Sequence, residues 1–502
     1  MPKSAKSKQP SATTKPVQTP KEANNQVSYQ RPEYKEMKKY WDLVNALNDG
    51  TAAMQAAGEK YLPRFSNEEQ SAYNIRLKNS ILFEAYSDTV DGYVAKPFSE
   101  PVKVEGVILD KIQEMIDDID GTKRTLSQFL PTFFEKGIHH GVSYILVDYP
   151  TTEFVLDNGD VYNIAPTKAD EEKLGLKPVF VHITADQIIN WQTSRSAGGE
   201  EVLDMVVIKS EEVRPTMSYA SEVYDVLTVW RKHIIEVWEK LKDKDETEYQ
   251  NIATMKNSLG FIPLVPFYTR RIGSMLARPA AERLAWLNLK HFRSDSDQTN
   301  ILSWIRCPLL YLFGLSQEEM DKPITIGPGR ALKSINPNAH AGYLEHTGAA
   351  ASAGERDLKN TEELMELVGM QPLIRSSGDV TATGARIDAS KSVCKVQMWV
   401  TDLENVVYRA FVIAAQWMKI TLPDTFNINI FNNFGIDANT ADKEFLLRLR
   451  TAKQITHRTL LNEIKRTGVL SEELDVEKEI IELESEFPGA MFGDGDIDNA
   501  ES

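Results

Sequence analysis

Between Thr383 and Met418 the apolar residues Ile387, Val393, Val396, Val400, Leu403, Val407, Phe411 and Ala414 recur largely every three to four positions, and no proline follows until Pro423. That spacing predicts one helix of about 50 Å, at about 1.5 Å per residue. The stretch before it, QPLIRSSGDVTATGAR, has no such period. Pro372 cannot continue a preceding helix, Gly378 permits backbone angles closed to other residues, and the Ser, Asp and Thr side chains offer caps for the next helix. A projecting hinge between two rods is expected there, because a loop of this composition carries no core.

Upstream of the hinge the pattern alternates between helical and β-type periods. Pro32 to Asn48 reads as a helix and TAAMQAAGEKYLPRF as a connector. Ser66 with Glu69 makes a capping box for a helix through Tyr73, Leu77, Ile81, Ala85 and Thr89 to Val94, stopped by Pro97. Leu126 to His140 is a further helix and VSYILV (Val142 to Val147) a buried strand. VFVHI (Val179 to Ile183), VLDMVVI (Val202 to Ile208), YDVLTVW (Tyr224 to Trp230) and IIEVWEK (Ile234 to Lys240) are β-type runs between polar turns. Together they predict a mixed α+β domain with an antiparallel sheet.

At Pro279 the helical period returns, with proline at the first helical position and a helix reaching Trp304. Pro308 to Gly348 holds short strand-like runs (LLYLF, ITI, AGYLE) and turn signals at Pro323, Gly327-Pro328-Gly329 and Asn336-Pro337, a β-rich insert. Ala350 to Met370 is helical again, and Asp442 to Glu486 reads as two helices broken at Gly468. Helix, small β insert, helix, hinge and very long helix describe a stalk rather than a pocket. No internal repeat is present.

Composition narrows the chemistry. The 502 residues suffice for a large core or several domains, and the net charge of −16 disfavours tight, sequence-reading contact with nucleic acid. It does not disfavour a conduit, since a wall past which DNA slides benefits from weak attraction. The first thirty or so residues are basic and rich in Pro, Ser and Thr, so disorder is expected; Ser471 to Ser502 is strongly acidic. Its GDGDID lacks the closing glutamate of a calcium loop. No apolar run is long enough to span a bilayer and the N-terminus lacks a signal peptide's apolar block, so a cytoplasmic protein is expected. Cys307 and Cys394 read as reduced structural thiols.

The remaining motifs read as structural. Adjacent His139 and His140 point in different directions on a helix, Ser294-Asp295-Ser296-Asp297 reads as a solvated face, and GPGR (Gly327 to Arg330) lacks the lysine of a phosphate-binding loop. There is no GxSxG, HExxH or Walker sequence. Trp230, Trp238, Trp286 and Trp399 are expected in the core, with Trp304 and Tyr311 as candidate interface anchors. No metal, cofactor or catalytic set is indicated. The competing class is a metal-dependent enzyme using dispersed carboxylates, but the acidic clusters fall mostly on helix surfaces.

In this order, the segments KYLPR, DGTKRTLSQFL, GVSYILVDYP and LGFIPLVPFY, followed by the stalk-like layout, resemble the portal (head-tail connector) proteins of tailed bacteriophages, from about Tyr61 to Glu486. The resemblance implies an α+β portal fold: a disordered basic tail (1–30), a wing (31–278), a first stem helix (279–306), a clip (307–349) and a second stem helix (350–371). A tunnel loop (372–382), a long wing helix with a following strand (383–440), crown helices (441–488) and an acidic tail (489–502) complete it. The crown is short for the family, and the acidic tail matches no family role.

The same resemblance implies a dodecameric, non-enzymatic ring at one capsid vertex of the virion, assembled in the host cytoplasm. Such a ring nucleates head assembly with the major capsid protein and scaffold, docks the large terminase subunit, and conducts double-stranded DNA during packaging and ejection. Head-tail adaptor or tail proteins are further implied partners, and a membrane is not. By position, Arg375, Ser376, Ser377, Gly378, Asp379 and Thr381 would face DNA without reading its sequence. Leu309, Leu310, Tyr311, Leu312 and Phe313 would lie at the docking surface for motor or adaptor. A closed ring of identical chains needs two different complementary faces on each chain. Leu284, Leu287, Leu289, Leu358 and Leu367, beside polar stripes on the stem helices, are candidates to supply them.

Overall fold

A computed structural model describes residues 27–150, 153–155, 161–163, 173–216, 220–242, 248–306, 309–314, 336–344, 349–369, 382–432, 440–452, 454–466, 470 and 474–486. Helix α1 (Pro32–Asn48) begins with proline in its first turn, where the missing N–H has no helical acceptor to lose. The stretch expected to be a connector is largely helical: Gly50, at φ 79°, turns the chain straight into α2 (Gly50–Ala57).

The single helix expected from Ser66 to Val94 is two, α3 (Gln70–Asn79) and α4 (Ala85–Ala95). The Ser66–Glu69 box does not form, and Glu69 is an extended N-cap without a side-chain bond. The break is held by polar partners from distant chain. Ser80 Oγ lies 2.8 Å from the Arg76 carbonyl and 2.8 Å from Ser296 Oγ, and the Leu82 N–H donates to Thr51 Oγ1. Fully buried Asn288 spans the gap, donating to the Phe83 carbonyl and accepting from the Tyr86 N–H. Beyond it come β1 (Lys103–Glu105), α5 (Asp110–Asp117) and α6 (Leu126–His140), the last opened by a Thr125–Gln128 capping box.

Strands β2 (Val142–Asp148), β3 (Glu153–Val155), β4 (Val161–Asn163), β5 (Val179–Thr184), β6 (Ile188–Arg195), β7 (Glu201–Pro215), β8 (Ser221–Arg231), β9 (Ile234–Leu241), β10 (Gln250–Lys256), β11 (Leu264–Tyr268), β12 (Arg271–Gly273) and β13 (Leu276–Ala277) follow. They form an antiparallel seven-stranded sheet, β4-β3-β10-β9-β8-β7-β6, an antiparallel three-stranded sheet, β11-β2-β5, and the β12-β13 pair. β7 runs seven residues past the expected Ile208, because its polar KSEEVRP end pairs with β8 as far as Pro215↔Ser221.

β2 explains how the body holds together. Its Ile145 and Val147 enter one core with Phe133, Phe134, Phe267, Trp399 and Phe411, while Val142, Tyr144 and Leu146 enter a second with Trp41, Ile189, Val206 and Trp230. A strand covered on both faces reads as a continuous apolar run, which VSYILV is. Three indoles find carbonyl partners at its borders: Trp41 Nε1 donates to His140, Trp399 Nε1 to Thr269 and Trp417 Nε1 to Val147. Of the tryptophans expected in the core, Trp230 and Trp399 are buried and Trp238 half-buried, but Trp286 is 50% exposed.

Helix α7 (Glu282–Arg306) starts later than expected; Pro279 lies before it, its carbonyl accepting from the Glu282 N–H. The hairpin β14 (Leu309–Phe313) and β15 (His340–Leu344) leads to α8 (Ala349–Gly369) and to the long α9 (Ala382–Met418), 37 residues or about 55 Å. β16 (Asn427–Asn429) pairs with β1. Among the described residues the C-terminal region holds three helices rather than two: α10 (Thr440–Thr451), α11 (His457–Arg466) and α12 (Val476–Glu486). Thr456 makes the unanticipated break, its Oγ1 accepting from the Thr459 N–H to cap α11.

Candidate functional site

The stalk read from sequence is the antiparallel pair α7 and α8. Lys290 Nζ donates to Asp357 Oδ1 (2.9 Å) and Thr361 Oγ1 (2.9 Å), His291 Nε2 lies 3.2 Å from Glu362 Oε1, and Gln298 Nε2 donates to the Ala351 carbonyl. Each step up α7 is thus matched by a step down α8. Gly354 belongs to this fit, since a Cβ there would fall 2.0 Å from Gln298 Oε1. The hydrogen bond from Lys290 holds the Asp357 carboxyl below the usual range.

One end of the pair is embedded. Leu284, Ala285, Leu289 and Phe292 of α7 and Met365 of α8 belong to the larger core, with Leu287 packed against it. Leu367 is exposed and Leu358 half-buried. Higher up, polar contacts take over, and the expected solvated face Ser294–Asp297 is only partly so. Ser296 is buried against Ser80, Ser294 Oγ donates to Asp357, and Asp297 lies 3.7 Å from the Arg76 guanidinium. Arg76 is a buried hub. It grips Glu68 bidentately at 2.8 Å on both bonds, donates to the Pro63 carbonyl, and stacks 4.3 Å from the Phe65 ring centroid. The Arg76 guanidinium lowers the Glu68 carboxyl from its usual value, whereas burial pushes Asp297 upward.

At the other end sits the hairpin. Leu309 pairs with Leu344, Leu310 with Tyr343, Tyr311 with Gly342, Leu312 with Ala341 and Phe313 with His340. Gly342 accommodates the Tyr311 ring, whose Oη a Cβ would approach to 2.6 Å. Tyr311 and Phe313 lie on one face, ring centroids 5.5 Å apart, with Phe313 65% exposed. The side chains of Trp304, Leu309 and Leu310, the expected ITI strand and GPGR lie outside the described residues.

Arg375, Ser376, Ser377, Gly378, Asp379 and Thr381 also lie outside the described residues, as do Cys307, most of the basic N-terminal segment and the GDGDIDNAES end. Their flanks are described. Tyr93 of α4 donates its hydroxyl to the carbonyl of Gly369, the last residue of α8, and its ring meets Trp399 of α9 edge-on at 6.0 Å. α9 then buries Val396, Trp399, Val400, Leu403, Val407, Ala410, Phe411 and Ala414. Tyr93 and Asn288 escape a reading of the sequence because their partners lie 276 and 202 positions away, and Arg76 because Glu68, eight residues before it and outside α3, reaches it only across a non-helical turn.

His139 and His140 take separate partners, Tyr86 Oη and Asn45 Oδ1. Among the described residues no group of three or more His, Cys, Asp or Glu is placed to hold a metal ion, and no helix is long and apolar enough to cross a membrane.

Residues 281–418, which run from the start of the rod to the end of α9, match a family model described as a domain of unknown function (DUF4055). No curated protein matches the chain. Among solved structures the chain is similar to one in the neck of an empty GTA particle computed with C6 symmetry, at 9% identity, covering 79% of this chain and 89% of that one, TM-score 0.42. A chain in the virion of a native gene transfer agent (GTA) particle gives 9% identity, 86% and 98% coverage and a TM-score of 0.38. One in the neck of a native GTA particle computed with C12 symmetry gives 10%, 75%, 88% and 0.38. At that identity and overlap the likeness bears on neither activity nor partners.

Proposed function

We propose that this chain is a portal-type subunit. Twelve copies close into a ring at one capsid vertex, nucleate head assembly with capsid protein and scaffold, and conduct double-stranded DNA in and out. The observation that carries this reading is the antiparallel α7–α8 rod, rooted in the body at one end and tipped by the small β14–β15 hairpin at the other, whose second helix leads through residues 370–381 into the 37-residue α9. A rod with a tip module lets identical copies stand side by side around a pore, as a substrate cleft does not.

On this reading the hairpin, with Leu309 to Phe313, docks the large terminase subunit during packaging and an adaptor or tail protein afterwards. The segment Arg375 to Thr381 lines the pore, where one arginine per copy gives a weak, sequence-blind phosphate contact tempered by Asp379. The protein resides at the portal vertex of the virion after assembly in the host cytoplasm, and it is not an enzyme.

Native mass spectrometry with electron microscopy of the purified chain tests the ring. A closed particle near twelve times 56.6 kDa with a central hole is expected. A monomer at micromolar concentration, with a globular outline and cation-dependent turnover, would overturn it.

A further inference from the structure

β2, the strand shared by the two cores, starts in a corner lined by histidine. His140 ends α6 on the side of the second core. It is buried, its ring lies 5.7 Å from that of Trp41, and Trp41 Nε1 donates to its carbonyl. His140 Nε2 is 2.9 Å from Asn45 Oδ1, which can only accept, so the neutral ring carries its proton there. Nδ1 is enclosed and meets no hydrogen-bond partner among the described residues. His182 of β5 faces the first core: its Nε2 is 2.8 Å from Ser143 Oγ, and its ring stands edge-on to Phe133 at 5.2 Å.

The carboxyls around this corner are engaged elsewhere. Glu135 lies 3.6 Å from Lys136 and 3.3 Å from His139, and Asp186, in the turn Ala185–Gln187, accepts from Thr184 Oγ1. On and beside α1, Glu33 pairs with Arg31, Glu36 with Lys39, and Asp42 with both Lys38 and Lys60. Asp186 favours a charge on either ring and Glu135 on His182. Burial outweighs them, helped by Lys136 at both rings, His139 at His140 and Arg124 at His182, and pushes His140 down to about 3 and His182 down to about 4.

We infer that this corner is an acid-opened joint: a proton arriving at His140 Nδ1 finds no acceptor, the ring leaves its place, and α1 lifts from β2 while the α7–α8 rod stays folded. α1 follows because Trp41 and Asn45 are its ties to His140. Its departure uncovers Val142, Tyr144 and Leu146, the face of β2 that enters the second core. A proton on His182 loosens the β2–β5 pair from the opposite face. A histidine depressed on folding contributes stability that is fully present above its unfolded value of about 6.5 and is lost as pH falls toward the folded value, so acid opens the joint. The joint does not rest on the portal reading.

Amide exchange of the full chain, corrected for its intrinsic rate and followed from about pH 7 to about pH 4, tests the joint. Below about pH 5.5, protection in α1 is expected to fall about tenfold per pH unit, the dependence of an opening that takes up one proton, while α8 stays within about threefold. His140→Gln fills the place of the ring but takes no proton, so it should flatten the slope in α1. Asp148, at the far end of β2, has the opposite pH dependence and is the same in both chains, so it cancels in the comparison. α1 and α8 losing protection in parallel, or a slope in α1 that His140→Gln leaves as steep, would overturn the joint. Should the variant fail to fold at pH 7, the comparison of α1 with α8 in the wild-type chain decides alone.

Discussion

The Tyr93 hydroxyl caps the carbonyl of Gly369, and through the Tyr93 ring the end of α8 is tied to Trp399 of α9. One side chain on α4 therefore sets the separation of the two helices that flank the proposed pore-lining segment. Gly369 is suited to that approach, since a Cβ there would lie 3.1 Å from Thr89 Oγ1.

Tyr93→Phe keeps the ring contact and removes the buried hydrogen bond. A loss of about 1 kcal/mol in urea unfolding is expected. Amide exchange should quicken in the last turn of α8 but not in α6. Unchanged exchange at Glu366 to Gly369 would show that the hydroxyl does not hold that turn.

Arg76 is held by a forked pair with Glu68, both side chains nearly buried. Arg76→Ala strands a carboxylate and is expected to cost about 3–5 kcal/mol. Arg76→Lys keeps the charge but cannot reproduce two parallel bonds and a ring stack, so a substantial part of that loss should remain. Chemical denaturation of the two variants side by side measures the difference, and equal stability of wild type and Arg76→Lys would contradict it.

Burial pushes the Asp148 carboxyl up to about 6. A carboxyl raised on folding binds its proton more tightly in the folded state, so its favourable contribution is full below the unfolded value near 4 and is lost as pH rises through 6. Asp148→Asn removes this dependence. The variant should be more stable than wild type by on the order of 2 kcal/mol at pH 7 and should match it near pH 3.5. Parallel melting curves across that range check the sign, and a variant less stable at pH 7 would refute it.

Deleting Arg375 to Asp379 should leave ring formation intact while impairing DNA packaging or retention. Assembly is read by mass and packaging by nuclease-protected DNA. Rings that fail to form after the deletion would place the segment between subunits instead.

Phe313→Ser, on the exposed face of the hairpin, should weaken docking of the terminase or adaptor without changing chain stability by more than about 0.5 kcal/mol. Co-sedimentation with the purified partner measures it, and undiminished docking would remove β14 from that surface.

Much of the architecture was legible where neighbours along the chain decide it. α1, α6, the α7–α8 rod, α9 and the central strands carry their period in local sequence, and the α+β class follows from them. β6 and β10 went unread because IINWQTSR and QNIATMK alternate weakly and are strands through pairing with β7 and β9. Asn288, Arg76 and Tyr93 look like ordinary helix residues until the Phe83–Tyr86 backbone, Glu68 and Gly369 come beside them.

What the sequence by itself determined is the succession of helices and strands, because side-chain period and backbone preference act within one or two turns. Tertiary structure alone decided that the Ser66–Val94 pattern breaks at Ser80, that Ser296 is buried while Trp286 is exposed, and that three helices rather than two end the described chain. A backbone group satisfied by a residue two hundred positions away, such as Tyr86 N–H by Asn288, leaves no mark on its neighbours in the chain. Which side of a helix faces the core depends on what packs against it, and periodicity reports the stripe without naming its partner.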